Sequence, residues 1–401
     1  MPTLENYTSF AGRHWETGSV CNVFDYRGFK APHTGLPYSE ALLVGVSGGA
    51  VMAYFSFAYE GYDPHVALLT RNTFDPLNTL LARLGVTQDV RQTTNPGRAV
   101  KHLVDVLESG VPALVWADVY SLPYNAQHNE KGMWIMYPVV VYGYEPEAGR
   151  VLIADRSCLP LEVTPAELEA ARARVKKDKF RVLALSAPDE SKLAAAVQQG
   201  LWDCVRLYTE APPAGSRHNF GLAAYRRWAD MLLKPGERQS WARVFPPGRP
   251  MYAGLTTAYR SLSQFNEGED AERGAFAAFL EEAAQLLERP GLRPAAELFR
   301  EAGGLWAGLA RALLPEEVQP LGEARRLIRR QQELFREQGQ AALPEMRENN
   351  DRLEAIAGEM ERLFPLDEAG VNALCAGLAE QLMALHDTEA QAVKALQEGM
   401  R

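Results

Sequence analysis

The sequence predicts an α+β domain followed by an all-α helical region. First, Tyr137–Glu145 and Val151–Arg156 are apolar, β-type runs around a short Glu-Pro-Glu-Ala-Gly turn, the pattern of a hairpin. Second, β-type runs stop beyond Pro188, and amphipathic helical stretches take over. Third, Glu316–Met400 is rich in Glu, Arg, Leu, Ala and Gln, which favours long helices.

Taken in order, Phe10–Phe24 reads as a glycine-containing loop running into a helix, whose first N–H groups and positive dipole end point outward. Ala41–Ala58 holds no charged residue and is long enough for a membrane span. Gly45, Gly48 and Gly49 interrupt it and Glu40 and Glu60 bound it, so a buried helix is expected. Pro76–Leu84 and Arg98–Glu108 read as helices, Val111–Ala117 as a strand, and Arg181–Leu185 as the last strand. Thr164-Pro165-Ala166-Glu167 is a helix start with Thr as N-cap, Pro at N1 and Glu at N3.

Asp189–Leu207, Phe220–Leu233, Ala271–Leu287 and Pro294–Leu314 read as helices, and Pro246–Pro250 as a loop. Pro344 and Pro365 are expected to end or kink the C-terminal helices, with Asp367 capping the last one. An intramolecular antiparallel hairpin of those helices is expected over a homodimer seam. The domains predicted are 1–188, 189–315 and 316–401, the last either part of the helical domain or a dimerisation hairpin.

Length and composition set the bounds. The 401 residues allow two or three domains, and 47% hydrophobic residues allow each a core. A net charge of −9 argues against a nucleic-acid partner, because phosphate contacts need clustered Lys and Arg. The Arg325–Arg330 cluster sits among Glu and Gln and reads as a solvated helix face. Cys21, Cys158, Cys204 and Cys375 show no metal-ligand spacing and fit a reducing cytoplasm, so no structural metal is expected. The first residues lack a signal-peptide pattern. No phosphate loop or dinucleotide motif occurs, and no cofactor is expected.

One family pattern runs through these motifs. Gly12-Arg13-His14-Trp15-Glu16-Thr17, then Asn22 and Gly28, then Tyr38-Ser39-Glu40 and Gly45–Gly49, follow one another in order. Leu122-Pro123-Tyr124 and Val139–Gly143 come next. This series resembles the N-terminal domain of the butirosin biosynthesis protein H (BtrH) family, a papain-like acyltransferase group. Asn219–Leu222, Trp228, Trp241 and Trp306 resemble the helical domain of unknown function that often follows it.

The resemblance implies a papain-like, cysteine-peptidase-type fold. It also implies a thiolate that attacks a carrier-protein thioester and passes the acyl group to an amine, with a histidine moving the proton. The nucleophile position, however, holds Trp15 and the histidine position holds Tyr137, while the orienting acid is present as Asp155. Tryptophan has no nucleophilic atom, and a tyrosine with pKa near 10 is a poor base at neutral pH. The reading is a degenerate papain-like domain whose cleft binds a small amine or acyl ligand, or a carrier or enzyme partner. Its cleft residues would be His14, Trp15, Glu16, Ser39, Glu40, Tyr124, His128, Tyr137 and Asp155.

Alternatively, an active acyltransferase or amidohydrolase works through rearranged residues. Cys158, three residues past Asp155, or Cys21 would then be the nucleophile and His128 the base. The blander readings make Cys21 a core residue, His128 an exposed loop residue and His14 a motif-supporting or capping residue. They make Ser39 a helix cap with Glu40 in the first turn, and Asp155 a partner of Arg156.

Overall fold

The computed structural model describes residues 2–126, 134–174, 179–210, 217–263 and 269–401. The chain begins with helices α1 (Glu16–Tyr26) and α2 (Glu40–Val46), then strands β1 (Ala50–Phe57) and β2 (His65–Arg71). Next come α3 (Pro76–Arg83), β3 (Gln88–Arg91), α4 (Pro96–Glu108) and β4 (Ala113–Asp118). The hairpin β5 (Met136–Glu145) and β6 (Arg150–Ala154) precedes β7 (Leu161–Val163), α5 (Pro165–Ala173) and β8 (Val182–Leu185). Helices follow: α6 (Leu193–Thr209), α7 (Gly221–Leu233), α8 (Trp241–Val244), α9 (Arg249–Ser263) and α10 (Arg273–Leu286). The last four are α11 (Arg293–Leu313), α12 (Gln319–Gln338), α13 (Leu343–Met360) and α14 (Glu368–Gly399). A mixed α+β N-terminal region is thus followed by a helical C-terminal region.

The chain forms two compact units, and neither is contiguous in sequence. The first comprises Met1–Leu43, Pro76–Leu193 and Gln331–Asn350; the second comprises Val44–Asp75, Ala194–Arg330 and Asp351–Arg401. The sequence reading drew contiguous domains. The helical unit instead takes in an N-terminal segment, Val44–Asp75, and the sheet-bearing unit takes in Gln331–Asn350 from the C-terminal helices.

The first unit is built on a six-stranded sheet of order β3-β8-β4-β5-β6-β7 with antiparallel neighbours. Val139-Val140-Val141 puts three β-branched residues at the centre of β5, and all three are buried. The hairpin turn closes at Gly149, whose φ of +70° suits the left-handed region that glycine enters without cost. Helix α1 packs on β5, and α4 and α5 pack on the inner strands. Thr164 accepts from the Glu167 amide while the Glu167 carboxylate accepts from the Thr164 amide, the reciprocal cap that the sequence signals. α4 starts at Pro96, two residues before the expected Arg98, because Asn95 caps the Arg98 amide and proline is preorganised at N1.

The uncharged run Ala41–Ala58 is not the single buried helix expected. α2 ends at Val46, Gly48 and Gly49 take φ of +124° and +70°, and the chain leaves as β1. β1 and β2 form a two-stranded sheet whose edges are both engaged. Val66 and Leu68 amides on β2 donate to the Thr257 and Ser261 hydroxyls of α9, at 3.0 and 3.5 Å. On the other edge, Asn219 donates to the Tyr54 carbonyl at 2.6 Å. Helix α9 has no counterpart in the sequence reading, which stopped at the prolines of 246–250; Pro250 sits in its first turn, where proline is tolerated.

Trp228, Trp241 and Trp306 are fully buried in this unit, and the Trp241 indole donates to Tyr54 Oη at 3.0 Å. Asp367 caps α14 through the Gly370 amide, as expected. Arg352 on α13 donates to Glu323 on α12 at 2.6 and 2.9 Å, and α14 packs on α11 and α7. Its apolar face thus meets the tryptophan-bearing helices, Trp228 on α7 and Trp306 on α11.

Candidate functional site

The candidate site lies wholly in the first unit, where α1 meets β5. Its entry is fixed by Gly12, whose missing side chain is required: a Cβ there would stand 2.2 Å from the Gly18 carbonyl oxygen. The Gly12 amide donates to Asn22 Oδ1 at 2.8 Å, tying the loop to the helix it precedes. Glu40 pins the loop that enters the helix. Its carboxylate accepts from the Arg13 and His14 amides at 2.6 and 2.9 Å and from Thr17 Oγ1 at 3.1 Å. The sequence placed Glu40 among the cleft residues or, more blandly, in the first turn of its own helix. Ser39 does cap that helix, accepting from the Leu42 amide at 3.0 Å.

Trp15 is the N-cap residue of α1, at the loop-to-helix junction, and is only 5% exposed. Its ring stacks on Tyr137, which enters at the start of β5, with centroids 3.8 Å apart and planes 2° from parallel. The β5 backbone is tied to α1 one residue on, where Ser19 Oγ donates to the Pro138 carbonyl at 3.2 Å. The two positions that the family resemblance pairs are therefore in direct contact.

Asp155 follows the end of β6 and joins through Arg156. The Arg156 guanidinium lies 4.7 Å from the Trp15 ring and 5.0 Å from the Phe335 ring, and bonds Asp155 and Asn125 Oδ1. Tyr124 donates its hydroxyl to Asp155 Oδ2 at 3.2 Å. Burial, with the Asp155 charge beside it, pushes the Tyr124 pKa well above its ordinary value, so this group stays protonated and donates. Asp155 thus has a cation and a hydroxyl donor already in place.

The segment Gln331–Asn350 packs over this region. Leu334, Ala342 and Met346 form a buried cluster with Ala126, joined by Phe335 and Leu343. Phe335 lies 6.2 Å from Tyr124, the Cys158 amide donates to the Arg336 carbonyl, and Asn350 donates to the Ala126 carbonyl at 2.5 Å. Phe335 had no local signal to mark it, because only the fold brings α12 to this place.

Of the alternative nucleophiles, Cys21 is buried and donates to the Tyr38 carbonyl at 3.6 Å; burial, with Glu40 and Asp25 nearby, pushes its pKa up to about 12. Cys158 is exposed, and its sulfur accepts from the Arg13 guanidinium at 2.9 Å. Glu16 begins α1 and is half-buried. His128 lies outside the described residues. Among the described residues no cluster of His, Cys, Asp and Glu could hold a metal ion, and no helix is long and apolar enough to cross a membrane.

The site is thus a mixed α+β domain in which the start of a helix faces the first strand of a hairpin. Residues 14–156, which contain Trp15, Glu40, Tyr124, Tyr137, Asp155 and Arg156, match the family model of butirosin biosynthesis protein H, N-terminal. This stretch of the chain is similar to the BtrH N-terminal domain, and the helical region that follows lies outside the match. No curated protein matches the chain.

Proposed function

We propose that this chain is a BtrH-like protein on a papain-like scaffold that no longer performs thiol acyl transfer at the family site. In this reading it acts as an accessory protein, holding a small amine or acyl ligand or a carrier or enzyme partner. The carrying observation is the Trp15–Tyr137 stack, 3.8 Å between centroids, at the helix start and strand start that would otherwise bear the thiol and the imidazole. An acyl transfer needs a polarisable nucleophile and a proton acceptor within hydrogen-bond reach of it. Two aromatic rings in van der Waals contact supply neither. With Tyr137 stacked on Trp15 and Arg156 also against its ring, the space at the helix start is filled from within the protein.

A second reading is favoured by the Arg13–Cys158 contact at 2.9 Å, which sets an exposed sulfur beside a cation three residues past Asp155. One assay separates the two. The protein is mixed with a soluble acyl thioester and a panel of primary amines, and release of the free thiol is followed. The proposal expects release at the uncatalysed rate. Amine-dependent release that Cys158→Ala abolishes would establish the second reading instead.

A further inference from the structure

The tip of a helical hairpin is seated on the Trp15 region. Residues 331–350, the end of α12, a turn at Gly339 and the start of α13, belong to the first unit, while both helices run on into the second. Phe335 lies against the Arg156 guanidinium, which Trp15 also contacts. Leu334, Ala342 and Met346 close on Ala126. At β7 the Gln340 side-chain amide bonds the Glu162 backbone in both directions, donating to its carbonyl and accepting from its amide. Gly339 stands close to Ser157 and Leu161. With the tip in this seat Trp15, Tyr124 and Asp155 are buried, and the Arg156 side chain is only 14% exposed.

The seat is held at a cost. Gln331, one turn before Leu334 and Phe335, and Asn349, one turn past Met346, are each 8% exposed. Both ends of the Gln331 amide and Nδ2 of Asn349 are buried with no hydrogen-bond partner among the described residues. A buried polar group without a partner forfeits the bonds that water would give it. Against that cost stands one small apolar cluster, Ala126 with Leu334, Ala342 and Met346, joined by Phe335 and Leu343. The bonds to Glu162 are exposed to solvent. Few buried apolar contacts and exposed hydrogen bonds mark a segment that opens locally, ahead of the rest of its unit.

We infer that residues 331–350 form a strap that gates the Trp15–Arg156 site. Seated, the strap keeps Arg156, Tyr124 and Asp155 from a ligand. Lifted, it hydrates Gln331 and Asn349 and bares the guanidinium. The unmet amides make the lifted state accessible, and apolar side chains in their place hold the strap down. The inference rests on the reading that this region receives a ligand, but its test uses none, so the gate and the ligand can fail separately.

Hydrogen exchange and phenylglyoxal modification of Arg156, both read by peptide mass spectrometry on the full chain, test it. Amides of 331–350 are expected to exchange at least about tenfold faster than those of β5, without the steep urea dependence of global unfolding. Gln331→Leu combined with Asn349→Leu is expected to slow both the strap exchange and the Arg156 modification about tenfold or more. Phe335→Ala, which removes apolar contact from the seat, is expected to speed both about tenfold with β5 exchange unchanged. The proposal fails if the strap and β5 exchange together, or if the leucine pair leaves either rate at or above the wild-type value. It also fails if Phe335→Ala leaves both rates at the wild-type value; should the leucine pair not fold, this variant and the wild-type exchange decide the matter.

Discussion

At the start of α1, Trp15 is held by the Tyr137 ring and the Arg156 guanidinium, and each such contact contributes about 0.5–1.5 kcal/mol beyond area burial. Trp15→Ala should therefore cost about 3–5 kcal/mol in urea denaturation, the range for a buried tryptophan. A residue kept for chemistry often sits at some expense to stability, so a neutral or stabilising Trp15→Ala would argue against a filling role. Glu40→Ala should cost about 2 kcal/mol or more, since it leaves the Arg13 and His14 amides without their acceptor. Iodoacetamide should leave Cys21 unlabelled at both pH 6 and pH 8, because burial keeps that thiol protonated and out of reach; peptide mass spectrometry reads this directly. The family motifs singled out Trp15, Tyr137 and Asp155. Arg156 was visible only as a neighbour of Asp155, because nothing in its local sequence says that its guanidinium reaches a tryptophan ring.

Among the elements, the hairpin and the capped helices α5 and α14 were legible because their signals are local: β-branched runs, a glycine turn, and cap residues at fixed offsets. The β1–β2 pair was not, because an uncharged apolar run reads equally as buried helix or strand. There the decisive feature is the Gly48–Gly49 turn with positive φ, which stops α2 and redirects the chain. Small residues decide packing as well. A Cβ on Gly200 would stand 2.1 Å from the Gly45 carbonyl oxygen, and backbone cannot move aside cheaply. Gly200→Ala should destabilise by about 1–3 kcal/mol despite the better helix propensity of alanine. Gly358, in α13 with open space around its Cβ position, is the control: Gly358→Ala should be neutral or stabilise by up to about 1 kcal/mol. Equal effects at the two positions would refute the close-approach argument.

At the scale of the whole molecule, the second unit is organised around a buried ion pair that no motif announced. Glu389 and Arg273 are fully buried, with Nε to Oε1 at 2.8 Å. Tyr208, Tyr225 and the Trp306 indole also donate to Glu389, and Arg273 reaches the Val51 and Thr70 carbonyls of the β1–β2 sheet. The network joins five helices and a hairpin distant in sequence, so only the assembled fold reveals it. Burial works to raise the Glu389 pKa, but the Arg273 charge and the hydrogen bonds overcome it and hold the group below its ordinary 4.5. A depressed folded-state pKa gives stability that is full above the unfolded value and lost as pH falls through the folded one. Chemical denaturation from pH 6 downward should show this loss setting in below about pH 4.5, and Glu389→Gln should flatten that acid limb. Glu389→Ala should cost about 3–5 kcal/mol, because it strands a buried arginine. The account's central claim concerns the first unit, and intact-mass spectrometry after incubation with an acyl thioester tests it most directly. The account predicts an unmodified mass, with no acyl group carried on any cysteine. A stoichiometric acyl adduct that maps to Cys158 or Cys21 and is discharged by an added amine would contradict it.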